Sequence, residues 1–311
     1  MTESYQPDVP RRIVLWGATG AGKSTYLSTL VFYHRQPADE RRLCVLPADA
    51  VTAEWVTRQV RALRGDGPDA RAQTREAREL RFQLYDLPAR AASRFHDAAR
   101  RPSRRLGELA VWDVPGATYD GAPPPEMLDA MLDAAGIVLL VDPGRHAERG
   151  DGRRAVDDAA AYYTSFFQST LGALVLRLRA RAGGRPDPRL DEQNRLRIPV
   201  AVCLTKADEH EMLRADESRR VQLREIVGES AGLLETSLTT HTVIAISALG
   251  RALEKRDGRD VLVGDPEPWN ALRPLRWVLE HGAPRPAAPL PDPSAAPTIE
   301  VARAVRPEVS A

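Results

Sequence analysis

Lysine is nearly missing from this 311-residue chain: of 44 basic residues only Lys23, Lys206 and Lys255 are lysines. Cysteine is scarcer still. Cys44 and Cys203 sit in apolar runs without CxxC spacing, which excludes a disulfide framework, and six scattered histidines offer no zinc site. Charge of one sign is also lacking, since 44 basic and 43 acidic residues leave a net charge of +1. Such a balance gives no electrostatic footprint for nucleic acid or anionic lipid, so neither partner is expected. No apolar run approaches the roughly 20 residues that cross a bilayer as a helix, which argues against stable membrane insertion. The first ten residues, MTESYQPDVP, have neither the basic start nor the apolar stretch of a secretory signal, and a cytoplasmic location is expected.

What is present is ordinary globular composition, 43% apolar and 28% charged, with a pattern in it. Short apolar stretches at 12–16, 80–86, 108–113, 137–142, 198–204 and 242–247 alternate with helical spacing. That alternation predicts an α/β fold in three layers, a mostly parallel sheet of about six strands with helices on both faces. Tyr26, Leu27, Leu30 and Val31 recur as one face of a first helix. Insertions are expected near 35–79 and 143–197. The first holds a helix carrying Val51, Trp55, Val60 and Leu63, stopped by the Gly65–Pro68 breaker, with Thr52 and Thr57 on its exposed side. A helix after Pro125 should bury Met127, Leu128, Met131 and Leu132. The second insertion holds a helix near 156–179 whose Tyr163, Phe166, Phe167, Thr170, Leu174 and Leu178 share a stripe, read as core packing in preference to a docking face. The arginines of 177–185 are read as its solvated end. A closing helix is expected to set Trp269, Leu272, Leu275 or Arg276, and Leu279 near one face. Residues 1–10 read as a flexible start, 11–283 as one enlarged domain, and 284–311, rich in proline and alanine, as a disordered tail.

Chemistry concentrates at the strand ends. Gly17-Ala-Thr-Gly-Ala-Gly22-Lys23-Ser24 fits GxxxxGK[ST] between a strand and a helix, the context that gives this pattern meaning. Glycines let backbone N–H groups converge on phosphate oxygens, and the helix N-terminus adds a positive dipole end. Lys23 would reach β- and γ-phosphates, and the Ser24 hydroxyl would ligate Mg²⁺. Asp113-Val-Pro-Gly116 ends the third expected strand in the form DxxG, with Asp113 holding Mg²⁺ through water and the Gly116 N–H sensing the γ-phosphate. Thr205-Lys206-Ala207-Asp208 fits [NT]KxD: an aspartate there accepts from guanine N1 and its 2-amino group, while the lysine stem covers the base. Two of the three lysines thus fall in nucleotide motifs. Ser247-Ala248-Leu249 closes the last strand, placing the Ala248 N–H to donate to guanine O6. An ATPase reading would leave Asp208 without a role.

GATGAGKS, DVPG, TKAD and SAL, in this order and each at a strand end, resemble the motif set of the translation-factor-related and Ras-like (TRAFAC) class of P-loop GTPases. The opening LWGATGAGKSTYLSTL, the long first insertion and PWNALRPLRWVL are similar to bacterial double-GTPase-type proteins. The resemblance implies a GTP-binding and GTP-hydrolysing regulatory switch that uses Mg²⁺ and answers to a protein effector or activator, or to self-association. It implies nucleotide contacts from Gly17, Thr19, Gly20, Ala21, Gly22, Lys23, Ser24, Thr25, Gly116, Thr205, Lys206, Asp208, Ser247, Ala248 and Leu249. Mg²⁺ would be held by Ser24, Asp113 and a switch threonine, for which Thr74, six residues before Leu80, is the candidate.

Two positions depart from that pattern. Ala117 follows DxxG where Ras-like members carry the water-orienting glutamine, and Gly20 stands where potassium-dependent members have asparagine. No catalytic residue is therefore assigned, and slow turnover is expected, with an arginine of the 90–105 segment as one source of a missing group. The alternative is a nucleotide-binding scaffold with little or no hydrolysis, which assembles partners according to GTP occupancy.

Overall fold

The computed structural model describes residues 11–18, 20–31, 42–66, 78–87, 104–113, 123–144, 152–183, 185–210, 213, 219–251, 253–256 and 258–282. Continuous β-branched and leucine-rich runs become strands buried on both faces. β1 (Arg11–Gly17), β5 (Gly136–Val141), β6 (Val200–Leu204) and β7 (His241–Ala245) are of this kind and are mutually parallel. β4 (Arg104–Asp113) pairs parallel with β1 on its other side. β3 (Arg78–Leu87) runs antiparallel to β4 and β2 (Arg42–Pro47) antiparallel to β3, giving the order β2-β3-β4-β1-β5-β6-β7. The protein is thus α/β, with a mostly parallel seven-stranded sheet.

To the six expected strands the sheet adds β2, which lies inside the stretch read as an insertion, and a separate hairpin is formed by β8 (Glu254–Arg256) and β9 (Arg259–Val261). β2 is short and ends on Pro47. Proline cannot extend a sheet ladder and is tolerated at an edge, which is where β2 stands.

Side-chain alternation along β1 divides the core. Val14 and Trp16 face one layer with α3 (Pro125–Leu132), α4 (Gly152–Ala182), α5 (Arg219–Val227) and α6 (Ser230–Ser237). Ile13 and Leu15 face the other with α1 (Lys23–Leu30), α2 (Ala50–Leu63) and α7 (Arg273–His281). β3 is apolar on one face only: Leu80, Phe82 and Leu84 are buried toward α2. Its opposite face carries Arg81, whose guanidinium grips Glu108 of β4 at 3.0 Å while Arg105 joins the same carboxylate at 3.1 Å.

The Asp49 carboxylate caps α2 by accepting from the Thr52 N–H at 2.7 Å. Thr52 itself is fully buried, contrary to its expected exposure, because its hydroxyl accepts from the Arg81 N–H at 3.1 Å and so ties α2 to β3. In α3 the four expected apolar residues are buried, and in α4 so are all six of the stripe, which makes that stripe core. The arginines at the end of α4 stay solvent-accessible and two of them also bind: Arg177 and Arg181 clasp Asp129 of α3, and Arg177 holds that carboxyl below its ordinary range.

The closing helix begins at Arg273, with a proline in its first turn. Trp269 therefore stands outside it, partly exposed, and pairs its backbone with Ser247. Both cysteines are buried and free, and burial pushes the Cys44 thiol up to about 11 and raises the Cys203 thiol too, which disfavours the thiolate in both. Among the described residues no helix is long and apolar enough to cross a membrane.

Candidate functional site

Strand order reverses at β1, which has β4 on one side and β5 on the other. In open α/β sheets the crevice beyond the strand ends at such a reversal is where ligands bind. The described motif residues stand at the carboxyl ends of β1, β4, β6 and β7, along that edge of the sheet. Gly17 ends β1, and a Cβ on it would lie 2.9 Å from the Leu140 Cβ and carbonyl of β5, so only glycine fits. Gly20 and Gly22 have φ of 80° and 81°, a left-handed backbone that side chains resist. These turns carry the chain into α1, whose N-cap is Gly22 and whose first turn has no acidic residue and no side-chain cap. The first N–H groups of a helix have no partner within it, and the dipole favours an anion at that end. Lys23 folds back over the loop, its ammonium donating to the carbonyls of Gly17 at 2.7 Å and Ala18 at 2.9 Å. One positive charge is thereby held at the mouth of a glycine cradle. Ser24 and Thr25 follow in the same turn, half-buried; Ala21 is buried and bonds back to Ala18.

Asp113 ends β4, the parallel neighbour of β1, two residues beyond the Leu15–Val111 pair. Only its backbone is described; Thr19, Thr74, Gly116, Ala117 and the 90–103 arginines, like residues 1–10 and 284–311, lie outside the described residues.

On the other side of β1 the tetrapeptide 205–208 follows β6. The Thr205 N–H and hydroxyl both donate to the Val141 carbonyl, at 2.9 and 3.1 Å, which locks the end of β6 to the end of β5. Lys206 takes a left-handed φ of 55°, its ammonium 2.8 Å from Asp142 Oδ2. Asp208 is half-buried after this bend. The Ala207 N–H donates to the Ile246 carbonyl at 3.1 Å, bringing the 205–208 turn against the loop that follows β7.

In that loop Ser247 is buried and exchanges two backbone hydrogen bonds with Trp269, at 3.0 and 2.9 Å, while its hydroxyl accepts from the Gly250 N–H at 2.7 Å. Ala248 and Leu249 are held between these anchors, half-buried. Gly250 is irreplaceable here, since its φ is +73° and a Cβ would stand 1.8 Å from the Glu267 carbonyl oxygen. Gly250→Ala is expected to cost about 2 kcal/mol or more, read as a fall of several degrees in thermal melting.

Reasoning from sequence alone missed Asp142 and Tyr163. Asp142 ends an apolar run, and Tyr163 was counted only as a member of the α4 stripe; its hydroxyl binds the Asp142 backbone.

No protein-family model matches the chain. No curated protein matches it either. Among solved structures it is similar to the GTPase-like domain of Ski7 from S. cerevisiae, bound to GTP, at 15% identity and a TM-score of 0.41 over 88% of this chain. It spans half the length of that Ski7 chain. It is also similar to the signal recognition particle receptor SRb-GTP/SRX complex from Chaetomium thermophilum, at 14% identity and TM-score 0.35, covering 88% of this chain and 98% of that one. The G domain of the T. maritima FeoB iron transporter matches at 12% identity and TM-score 0.27, covering 88% and 99%. These are likenesses of fold at low identity.

Proposed function

We propose that this chain binds GTP together with Mg²⁺ and acts as a slowly hydrolysing regulatory switch of the P-loop GTPase kind. The observation that carries the reading is the pairing on one crest of the sheet: the Lys23 ammonium lodged in a left-handed glycine loop, and the 205–208 and 247–249 turns two and three strands away. Phosphates would lie on the N–H groups of 20–25 with Lys23 against the β- and γ-oxygens. Guanine would be gripped by Asp208, covered by the Lys206 stem, and met at O6 by the Ala248 N–H.

The oxygens of Ser24, Asp113 and Thr74 would hold Mg²⁺, an all-oxygen donor set that suits a hard cation; Ser24 in the first turn of α1 and Asp113 at the end of the neighbouring β4 support this. The bound cation neutralises charge on the phosphate oxygens. The Gly116 N–H would report the γ-phosphate to the segment after Asp113, and Thr74 to the segment before β3, making these the two switches. A protein effector or activator, or a second copy of the chain, would read or complete the site in the cytoplasm.

Ala117 favours a second reading, a scaffold governed by occupancy with little turnover. Single-turnover phosphate release separates the two. The switch predicts release by the isolated protein near the intrinsic Ras scale of about 10⁻⁴–10⁻³ per second. Release faster than about 1 per second would mean that a catalytic group exists in cis, and bound GTP that stays intact for days would favour the scaffold.

A further inference from the structure

One residue outside the four motifs has every polar atom engaged. The Asp142 N–H donates to the Tyr163 hydroxyl at 2.9 Å, and that hydroxyl donates back to the Asp142 carbonyl at 3.0 Å. Its carboxylate Oδ1 accepts from the Gly144 N–H at 2.9 Å, and Oδ2 from the Lys206 ammonium at 2.8 Å. The carboxylate is only 8% exposed, so the contact is screened less by water than a surface pair would be. A carboxylate fixed at both oxygens and at its own backbone cannot swing; it acts as a rigid post for the lysine.

The lysine needs one. Lys206 has a left-handed φ of 55°, which an L side chain disfavours and which persists only where neighbours enforce it. The Glu209 N–H on its carbonyl, at 2.9 Å, secures the backbone, and Asp142 secures the side chain. Tyr163 in turn is fully buried in α4 among Phe166 and Phe167. Phe166 stacks on Trp16, centroids 4.2 Å apart, and Trp16 immediately precedes Gly17. One helix therefore braces both halves of the crest.

We infer that Asp142, set by the Tyr163 hydroxyl, is a positioning residue that holds Lys206 and thereby the 205–208 turn in its base-binding arrangement, so that guanine selectivity depends on α4. This rests on the guanine reading above. Asp142 acts through Lys206 and the base, and leaves the phosphate cradle alone.

The test is a double-mutant cycle on Mg²⁺·GTP, Mg²⁺·GDP and Mg²⁺·ATP affinities, with melting temperatures recorded for each protein. Asp142→Asn keeps the size and removes the charge; Lys206→Met keeps the stem and removes the ammonium. Each is expected to weaken GTP and GDP alike by about tenfold, with ATP unchanged, and the double variant to be no weaker than the worse single one. Tyr163→Phe should weaken guanine nucleotides about threefold in the parent and not at all beside Lys206→Met; it replaces Asp142→Asn if that variant does not fold. Additive losses, or an Asp142→Asn protein with parental affinity, overturn the inference. A parent that does not prefer GTP over ATP overturns the guanine reading itself, and the inference with it.

Discussion

Lys23→Ala is expected to weaken GTP binding by about a hundredfold to ten-thousandfold while leaving the fold standing. Its ammonium donates to the carbonyls of Gly17 and Ala18, which holds its charge at the loop. Two charge-assisted hydrogen bonds to phosphate oxygens, each worth about 1.5–3 kcal/mol, set that range. The fold should survive because the cradle is shaped by other means: Gly17 against Leu140, the left-handed Gly20 and Gly22, and the buried face of α1. Calorimetry on a variant with an unchanged circular dichroism spectrum checks it; undiminished affinity would remove Lys23 from the site.

Much of this was legible in advance for physical reasons. Strands buried on both faces must be continuously apolar, so β1, β5, β6 and β7 stood out, and the glycine loop announced its own strand-to-helix context. β2 did not stand out because an edge strand needs cover on little more than one face. The apolar heart of RLCVLP is four residues, too few to separate strand from loop. Trp269 was misplaced because its spacing from Leu272 is helical. The left-handed Asn270 and the proline in the first turn of α7 start the helix later, and Pro274 could have signalled that start. Periodicity also sorts faces without saying what a hydroxyl reaches, so the Tyr163 link to Asp142, 21 residues away, was invisible. Thr52 failed likewise: its place on a helix suggested exposure, but its hydroxyl accepts from the Arg81 N–H of β3.

Asp208→Asn should exchange one base for another. A carboxylate that accepts from guanine N1 and the 2-amino group has no counterpart in an amide, which can donate to the C2 carbonyl of xanthine instead. GTP should weaken at least tenfold and the xanthosine nucleotide should gain by a similar factor, an inversion of about a hundredfold in their ratio, since a polar group left without its partner costs roughly 1–3 kcal/mol. Phosphate contacts through Lys23 are untouched, so hydrolysis of the bound xanthosine triphosphate should keep the parental rate. Equal losses for both nucleotides would mean that the 205–208 turn supports the loop without reading the base.

Competition of Mg²⁺·GTP against Mg²⁺·ATP on the unaltered chain bears most directly on the whole account. The proposal that Asp208 and the Ala248 N–H meet guanine at the crest of β1, β6 and β7 predicts that GTP displaces ATP with at least a hundredfold preference. Equal affinity for the two nucleotides, or affinity for neither, would contradict it.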